Sequence, residues 1–415
     1  MAEIRAFRAL RPAEGRAEVV AALPYDVYNR TEAREEARRH PYSFLNIDRP
    51  ETQFPEDQDM YAPEVYRRAD WLLREWTARG IFVRDENPCL YIYAQTMDGR
   101  TQTGLVACSS VDDYLNDVIK KHENTLAEKE QDRIRHIDRC SAQTGPIFLA
   151  YRDDRVVDMI VEREKKNKPF YDFVSEDGIR HTVWRITDPL SLQALQFAFT
   201  QIPNTYIADG HHRAASAVRV AGLRRLSYPD YDGTEEFNGF LSVLFPASQL
   251  RIYDYNRVVK DLNGYSEEAF LAKVSEKFDL QKVSERGDPF RPQEKGEFGM
   301  YLEGSWYRLT AKPQIRTEDP VDGLDVSILQ NHLLSPILGI GDPKTDKRIG
   351  FVGGIRGLSE LEKRADTDMK AAFSMFPTSM EELFRVADAG KLMPPKSTWF
   401  EPKLRSGLLI HEFER

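Results

Sequence analysis

Cysteine is scarce in this sequence: Cys89, Cys108 and Cys140 are the only three, and no two form a CxxC pair. An odd, sparse count excludes a disulfide framework and a zinc knuckle, and it fits a reducing compartment. Long apolar runs are also missing. No stretch approaches the roughly 18 uninterrupted apolar residues of a membrane-spanning helix. The first residues, Met1-Ala2-Glu3-Ile4-Arg5, lack the apolar centre of a signal peptide. A cytoplasmic location, with no membrane partner, is therefore expected. Positive charge is not in excess. The formal net charge is −9, which removes any general attraction to nucleic acid or to an anionic membrane. An anionic ligand must instead be held by a local cluster of basic groups. There is no internal repeat and no low-complexity tract. The glycine-rich segments Gly339-Ile340-Gly341-Asp342 and Gly350-Phe351-Val352-Gly353-Gly354 match neither a P-loop nor a dinucleotide-binding spacing. A protein-kinase catalytic loop and a Gly-x-Ser-x-Gly elbow are absent as well.

What is present is an ordinary globular composition, 41% hydrophobic and 30% charged, over 415 residues. That length exceeds what one hydrophobic core usually serves, so two or three lobes are expected. We divide the chain at residues 1–150, 151–262 and 263–415. Thr31-Glu32-Ala33-Arg34-Glu35-Glu36-Ala37 reads as a capped, charged surface helix. Residues 60–80 are amphipathic, with Tyr61, Val65, Ala69, Leu72, Leu73 and Trp76 on one face and Gly80 as the C-terminal stop. Cys89 to Gln95 and Thr103 to Cys108 read as a hairpin around Met97-Asp98-Gly99-Arg100. Further strands are expected at Pro146 to Tyr151, His181 to Ile186, Thr205 to Ala208, Phe240 to Phe245 and Leu408 to Ile410, with a helix near 190–200. Alternating strands and helices predict an α/β fold with a mixed sheet. Residues 265–312 suit a small α+β unit.

The richest segment is Asp209-Gly210-His211-His212-Arg213. It follows a strand and opens a helix expected over His212 to Ala221, with Gly222 as its stop. Gly210 permits a sharp turn and close approach to a ligand. A helix start aims free N–H groups and partial positive charge outward. With His212 and Arg213 beside it, the place suits a phosphate or pyrophosphate. Asp209 can accept a proton or hold a divalent metal, and His211 is a further catalytic candidate. The plainer alternative is an N-cap aspartate followed by surface bases. A zinc site is disfavoured, because adjacent His211 and His212 do not easily share one ion.

Three other segments carry reactive groups. In Lys120-Lys121-His122-Glu123-Asn124-Thr125, Glu123 is a candidate general base and His122 and Thr125 are candidate phosphate partners, although such a stretch is often only solvated. Near the C-terminus, Met393-Pro394-Pro395-Lys396-Ser397-Thr398 with Lys403 offers two lysines and two hydroxyls that prolines stiffen, ready to close over an anion or simply to strap the tail to the core. Pro24 fixes Tyr25 and Asp26 at an early strand end, as candidate substrate contacts or as an ordinary turn.

Together these segments resemble one family along nearly the whole chain, the domain-of-unknown-function family numbered 1015. The resemblance is carried by Pro24-Tyr25-Asp26-Val27, His122-Glu123-Asn124-Thr125, Gly145-Pro146-Ile147-Phe148, Ile207-Ala208-Asp209-Gly210-His211-His212-Arg213, Met393 to Thr398, Pro402-Lys403 and Ser406-Gly407-Leu408. The Asp-Gly-His-His-Arg box alone is similar to the phosphate box of the ParB/sulfiredoxin superfamily. Free-serine kinases of that superfamily carry a closely similar Asp-Gly-x-His-Arg box. The resemblance implies a ParB/sulfiredoxin-like core with an additional C-terminal α+β lobe.

It also implies phosphoryl transfer from ATP, ADP or pyrophosphate, with Mg²⁺, to the hydroxyl of free L-serine. By position, Arg213 and His212 hold the donor phosphates and Asp209 acts near the hydroxyl. Glu123 and Asp26 are both candidates for the base. The carboxylate of a serine zwitterion calls for an arginine such as Arg133 or Arg139. The partner is then a small molecule, with the protein a monomer or homodimer. A ParB-like nucleotide-binding regulator is the alternative, but the chain shows no basic recognition helix. Transfer to a sulfinic acid would need a reactive cysteine at the box, which has none. Two departures stand out. This chain is much longer than those kinases, and Asn256 stands where the wider family pattern has a histidine.

Overall fold

The computed structural model describes residues 1–414. The chain forms two compact units, Met1–Leu250 together with Pro402–Arg415, and Arg251–Glu401. A boundary at residue 150 would cut the strand Ile147–Tyr151, which lies in the middle of the first unit's sheet. Strands from both sides of that point share one core, so the chain does not part there. The last residues return to the first unit rather than ending in the second.

The first unit is built on a nine-stranded mixed sheet. In chain order its strands are β1 (Ile4–Arg5), β2 (Leu90–Met97), β3 (Arg100–Ser110), β4 (Ile119–Lys120), β5 (Ile147–Tyr151), β6 (Tyr171–Val174), β7 (Arg180–Ile186), β8 (Thr205–Asp209) and β9 (Gly239–Pro246). Their spatial order is β4-β8-β5-β9-β3-β2-β7-β6, with β1 on β3. The β4–β8 and β5–β9 pairs are parallel and the remaining pairs antiparallel. The β2–β3 hairpin turns at Asp98 and Gly99, both at positive φ (51° and 75°), as a tight two-residue hairpin turn requires. The helix Pro63–Ala78 buries Val65, Ala69, Leu72, Leu73 and Trp76, and Gly80 follows at φ 69°.

Two helices frame the region beyond β8. Ala127–Cys140 buries Arg133, Ile134, His136, Ile137 and Cys140, at helical spacing along one face. His211–Ser227 lays Ala214, Ala217, Val218 and Ala221 against Ile207, Ile147 and Leu149 of the sheet. Its other side packs Val220 with Ile134 and Ile137 of the first helix and with Phe237 and Phe413. Small residues on the sheet side let this helix lie close over the strands. It runs through Gly222, where a stop was expected. Beyond that glycine, Arg224 and Arg225 are anchored to Asp138, Asp112 and Asn238, and these side-chain bonds hold the last turn. Arg155–Glu164 form a helix capped by Asp154. The apolar strand expected at Leu408–Ile410 is reduced to a bridge from Ile410 to Leu10, followed by a two-residue strand at His411–Glu412.

The second unit has a six-stranded antiparallel sheet: β10 (Tyr255–Val259), β11 (Phe278–Glu285), β12 (Glu297–Leu302), β13 (Ser305–Ala311), β14 (Ile349–Gly353) and β15 (Ala371–Met375). They run in the order β11-β13-β12-β15-β10-β14. Trp306, Tyr301, Val258, Val352, Leu361 and Ala372 form its core. Asn256 is fully buried here, where its amide donates to Asp254 (2.6 Å) and accepts from the Met375 N–H (2.9 Å). Among the described residues no helix is long and apolar enough to cross a membrane.

Candidate active site

The site forms where β8 ends. Its register against β5 slips between Ile207 and Asp209, and a bulge of this kind re-aims the next side chain. Gly210 then takes φ 94°, ψ 31°, left-handed backbone that glycine adopts without strain. Its N–H donates to Asp209 Oδ1 at 2.8 Å. The helix starts at His211 with no side-chain cap, so its first N–H groups have no partner within the helix.

Asp209 stands between two cations. Lys403 Nζ lies 3.1 Å from Oδ2, and Arg213 Nη2 lies 4.0 Å from the same oxygen. Burial pushes the Asp209 carboxyl up, but Lys403, Arg213 and His211 outweigh it and hold the group well below the usual carboxylate range. The Arg213 guanidinium is buried, donates through Nη1 to the Pro146 carbonyl, and lies directly against Gly210. Gly145 and Ser406 press on its other side: a Cβ at Gly145 would stand 3.2 Å from Ser406 Oγ and 3.6 Å from Arg213 Cδ. One fixed guanidinium and one ammonium thus bracket one carboxylate at a helix start.

The His122 box comes alongside on the loop after β4. The rings of His122 and His211 meet edge to face, 4.5 Å between centres. His211 Nε2 accepts the His122 backbone N–H (3.5 Å), and its Nδ1 lies 3.9 Å from Glu123 Oε2. That arrangement leaves the His211 proton on Nδ1, facing the carboxylate. Burial holds the His122 imidazole down to about 4, with Asp209 and the Ile207 backbone pulling the other way. Burial, and then His122, hold His211 well below its ordinary value. Both rings are therefore neutral near pH 7, and the two His122 nitrogens are buried without a good hydrogen-bond partner. His212 Nε2 accepts the Leu126 N–H at 2.9 Å, which ties the two segments together. Burial, reinforced by Lys129, lowers His212 as well.

Behind Arg213 lies a narrow cavity lined by Tyr25, Asp48, Arg133, His136, Thr144 and Ser406. It has room (≈ 20 Å³) for about one water molecule. Arg133 stacks its guanidinium 4.1 Å over the Tyr25 ring and pairs with Asp132 at 2.8 Å. Burial pushes the Tyr25 hydroxyl up to about 12, against the pull of Arg133. Thr144 donates to Asp48 Oδ1 (2.7 Å), and His136 Nε2 meets the Ile47 carbonyl (2.8 Å). Asp26 is exposed, and its charge acts on both Tyr25 and His212.

The structure thus brings Asp209, Gly210, His211, His212, Arg213, His122, Glu123 and Lys403 together, with Tyr25, Asp26 and Arg133 adjoining. The Thr125 hydroxyl is directed elsewhere, donating to Glu130 (2.9 Å). Arg139 pairs with Asp70 at 3.7 Å and is half exposed. Lys396 belongs to the second unit, where its backbone is left-handed (φ 62°), its carbonyl accepts from Arg257 and its ammonium lies over Tyr255. Sequence reasoning did not single out Asp48, His136 or Thr144, and Ser406 entered only as part of the family resemblance. For His136 the signal was available, since it follows Arg133 by one helical turn. Asp48 and Thr144 meet only through tertiary structure. All three cysteines are buried, and burial raises the Cys140 thiol far above its ordinary value, so none is a poised thiolate.

These features define a mixed α/β protein in which Asp209 lies between two cations at an uncapped helix start. The chain matches, over residues 4–327, the family described as "Protein of unknown function (DUF1015)", and it belongs to that family. No curated protein matches its sequence. Among solved structures, a mutant free serine kinase in complex with ADP is 15% identical, covering 75% of this chain and 93% of that one at a TM-score of 0.34. Free serine kinase in complex with AMP is also 15% identical, at 74% and 91% coverage and TM-score 0.33. SbnI with a C-terminal truncation, from Staphylococcus aureus, is 11% identical at 74% and 87% coverage and TM-score 0.37.

Proposed function

We propose that the first unit is a small-molecule kinase that transfers a phosphoryl group from ATP, ADP or pyrophosphate to the hydroxyl of free L-serine. The observation that carries this reading is the bracket of Arg213 and Lys403 around Asp209 at the uncapped start of the helix. The ParB/sulfiredoxin-like character of the box and the choice of serine come from its Asp-Gly-x-His-Arg pattern. Phosphoryl transfer asks little covalent chemistry of a protein; it needs positioning and neutralised charge. The helix N–H groups, Arg213 and Lys403 supply the charge. Gly210 keeps the approach open, since a Cβ there would meet the Arg213 guanidinium at 3.0–3.1 Å.

The acid–base roles follow from the electrostatics. An aspartate held far below its ordinary range is a weak base, so Asp209 orients the cations and the acceptor. Glu123, partly exposed beside the His211 Nδ1–H, takes the hydroxyl proton. His211 and His122 remain neutral and shape the wall. Among the described residues no group of three His, Cys, Asp or Glu stands close enough to hold a metal. A Mg²⁺ ion bound mainly by the donor phosphates would need only one or two carboxylates from the protein. Asp209 and Glu123 meet that need. When bound, the ion neutralises charge on the transferred group.

Phosphorus NMR of the protein with L-serine, Mg²⁺ and, in turn, each donor tests the reading. The expected result is phosphoserine from one donor, lost in Asp209→Ala, with donor binding lost in Arg213→Ala. Nucleotide binding without product would move the reading to a nucleotide-binding regulator. Failure of Arg213→Ala to change donor binding would overturn the phosphate site itself.

A further inference from the structure

The second unit contains a larger cavity, ≈ 430 Å³, within the size range of small-ligand sites. Its wall carries Lys295, Arg316, Arg385, Glu318, Asp319, Asp325 and Glu382 and no aromatic ring. Part of that charge is already matched. Lys295 pairs with Glu382 at 2.6 Å, and Asp319 with Lys391 at 2.5 Å. Arg316, Arg385, Glu318 and Asp325 make no ion pair among the described residues. Arg316 donates only to the Ala311 carbonyl and Arg385 only to the Glu318 carbonyl. Asp325 is 7% exposed, and both its oxygens share one donor, the Gly296 N–H, at 3.0 Å each. A carboxylate has about four acceptor sites, so most of its capacity is unused.

What is left over is two guanidinium groups and two carboxyls lining one cavity. A nucleotide is a poor fit, because no ring is there to stack on a base and the carboxyls would repel phosphates. A simple anion leaves Asp325 unmatched, and a simple cation leaves both arginines unmatched. We propose that this cavity binds a free amino acid, its ammonium on Asp325 and its carboxylate on Arg316 and Arg385. The bidentate fork of arginine suits a carboxylate. Burial pushes the Asp325 carboxyl up to about 7, reinforced by Glu382 and opposed by the Gly296 N–H and, more weakly, by the charges of Lys295 and Arg316. An ammonium beside Asp325 favours the charged form and gains the ion pair that the chain itself does not provide.

The test is saturation-transfer NMR followed by calorimetric titration of the full chain with a panel of free L-amino acids. At least one should bind saturably. Asp325→Asn keeps an acceptor for Gly296 and should weaken that ligand by about tenfold or more. Arg385→Gln, on an exposed side chain, should weaken it as well. Asp209→Ala should leave it unchanged, and this separates the cavity from the acceptor site of the proposed kinase. Binding that Asp209→Ala abolishes and Asp325→Asn spares would belong to the first unit and overturn the inference. No binding by any member of the panel would overturn it too.

Discussion

Gly210→Ala is the sharpest single perturbation of the site. Two costs add. Left-handed backbone at φ 94° penalises a residue with a Cβ by about 1–2 kcal/mol. The new methyl also stands 3.0–3.1 Å from three guanidinium atoms of Arg213. Arg213 is buried and hydrogen-bonded to Pro146, so it can yield only by giving up that bond, for a further ~1.5–3 kcal/mol. The sum is roughly 2.5–5 kcal/mol. Gly80→Ala in the same unit is the matched control. It also has positive φ (69°), but nothing lies within 4 Å of its Cβ, so only the backbone cost of about 1 kcal/mol applies. Urea denaturation followed by tryptophan fluorescence measures both variants against the wild type, and ADP titration reads the donor site. We expect Gly210→Ala to lose at least about 1.5 kcal/mol more than Gly80→Ala and to bind ADP more than tenfold more weakly. Equal destabilisation by the two variants, with unchanged ADP affinity in Gly210→Ala, would refute the placement of Arg213 and the reasoning built on it.

Other outcomes follow from the same electrostatics. The His122 imidazole is held at about 4 in the folded state against an ordinary value near 6.5, so below pH 6.5 the unfolded chain takes up a proton that the folded one refuses. Its contribution is therefore full above pH 6.5 and falls as pH drops toward 4, on the order of 3 kcal/mol in all. The urea midpoint of His122→Asn should fall less steeply than that of the wild type between those limits, and a parallel fall would contradict the burial argument. Lys403→Gln removes a cation 3.1 Å from Asp209 in a pair that is partly exposed (18% and 31%). After discounting for solvent, about 1–2 kcal/mol of stability should be lost. Donor KM should rise several-fold in steady-state kinetics, and an unchanged KM would remove Lys403 from the phosphate site.

Much of this site was legible in the sequence because it is local. Strand, glycine turn and helix lie within one short segment, and Asp209 and Arg213 are neighbours in sequence as they are in space. The hairpin at Asp98-Gly99 and the helix before Gly80 were legible for the same reason, since turn and stop residues act on their own backbone. The end of the helix at Ser227 was not, because Arg224 and Arg225 find their anchors 86 and 113 residues away. The cap of the early surface helix shows the same limit at short range. Asn29, outside the segment read as the helix, accepts the Glu32 N–H and donates its own N–H to the Glu32 carboxylate, closing a capping box. The cavity behind Arg213 was invisible for a topological reason: Asp48 and Thr144 meet across 96 residues. Pairing Lys403 with Asp209 spans 194 residues, and nothing in the sequence suggested it.

The return of Pro402–Arg415 to the first unit also sets an order of manufacture. Domains generally fold from the N-terminus as the chain emerges from the ribosome. Here the first unit is interrupted by about 150 residues of the second. Ile410, which bridges to Leu10, and Ser406, which exchanges hydrogen bonds with Ala22, are made after all of them. Lys403 arrives equally late. A nascent or prematurely terminated chain thus carries Asp209 and Arg213 without the ammonium that completes them. The Asp209 cluster is thus the last part of the first unit to be finished, and a chain that stops short of Lys403 lacks one of its two cations.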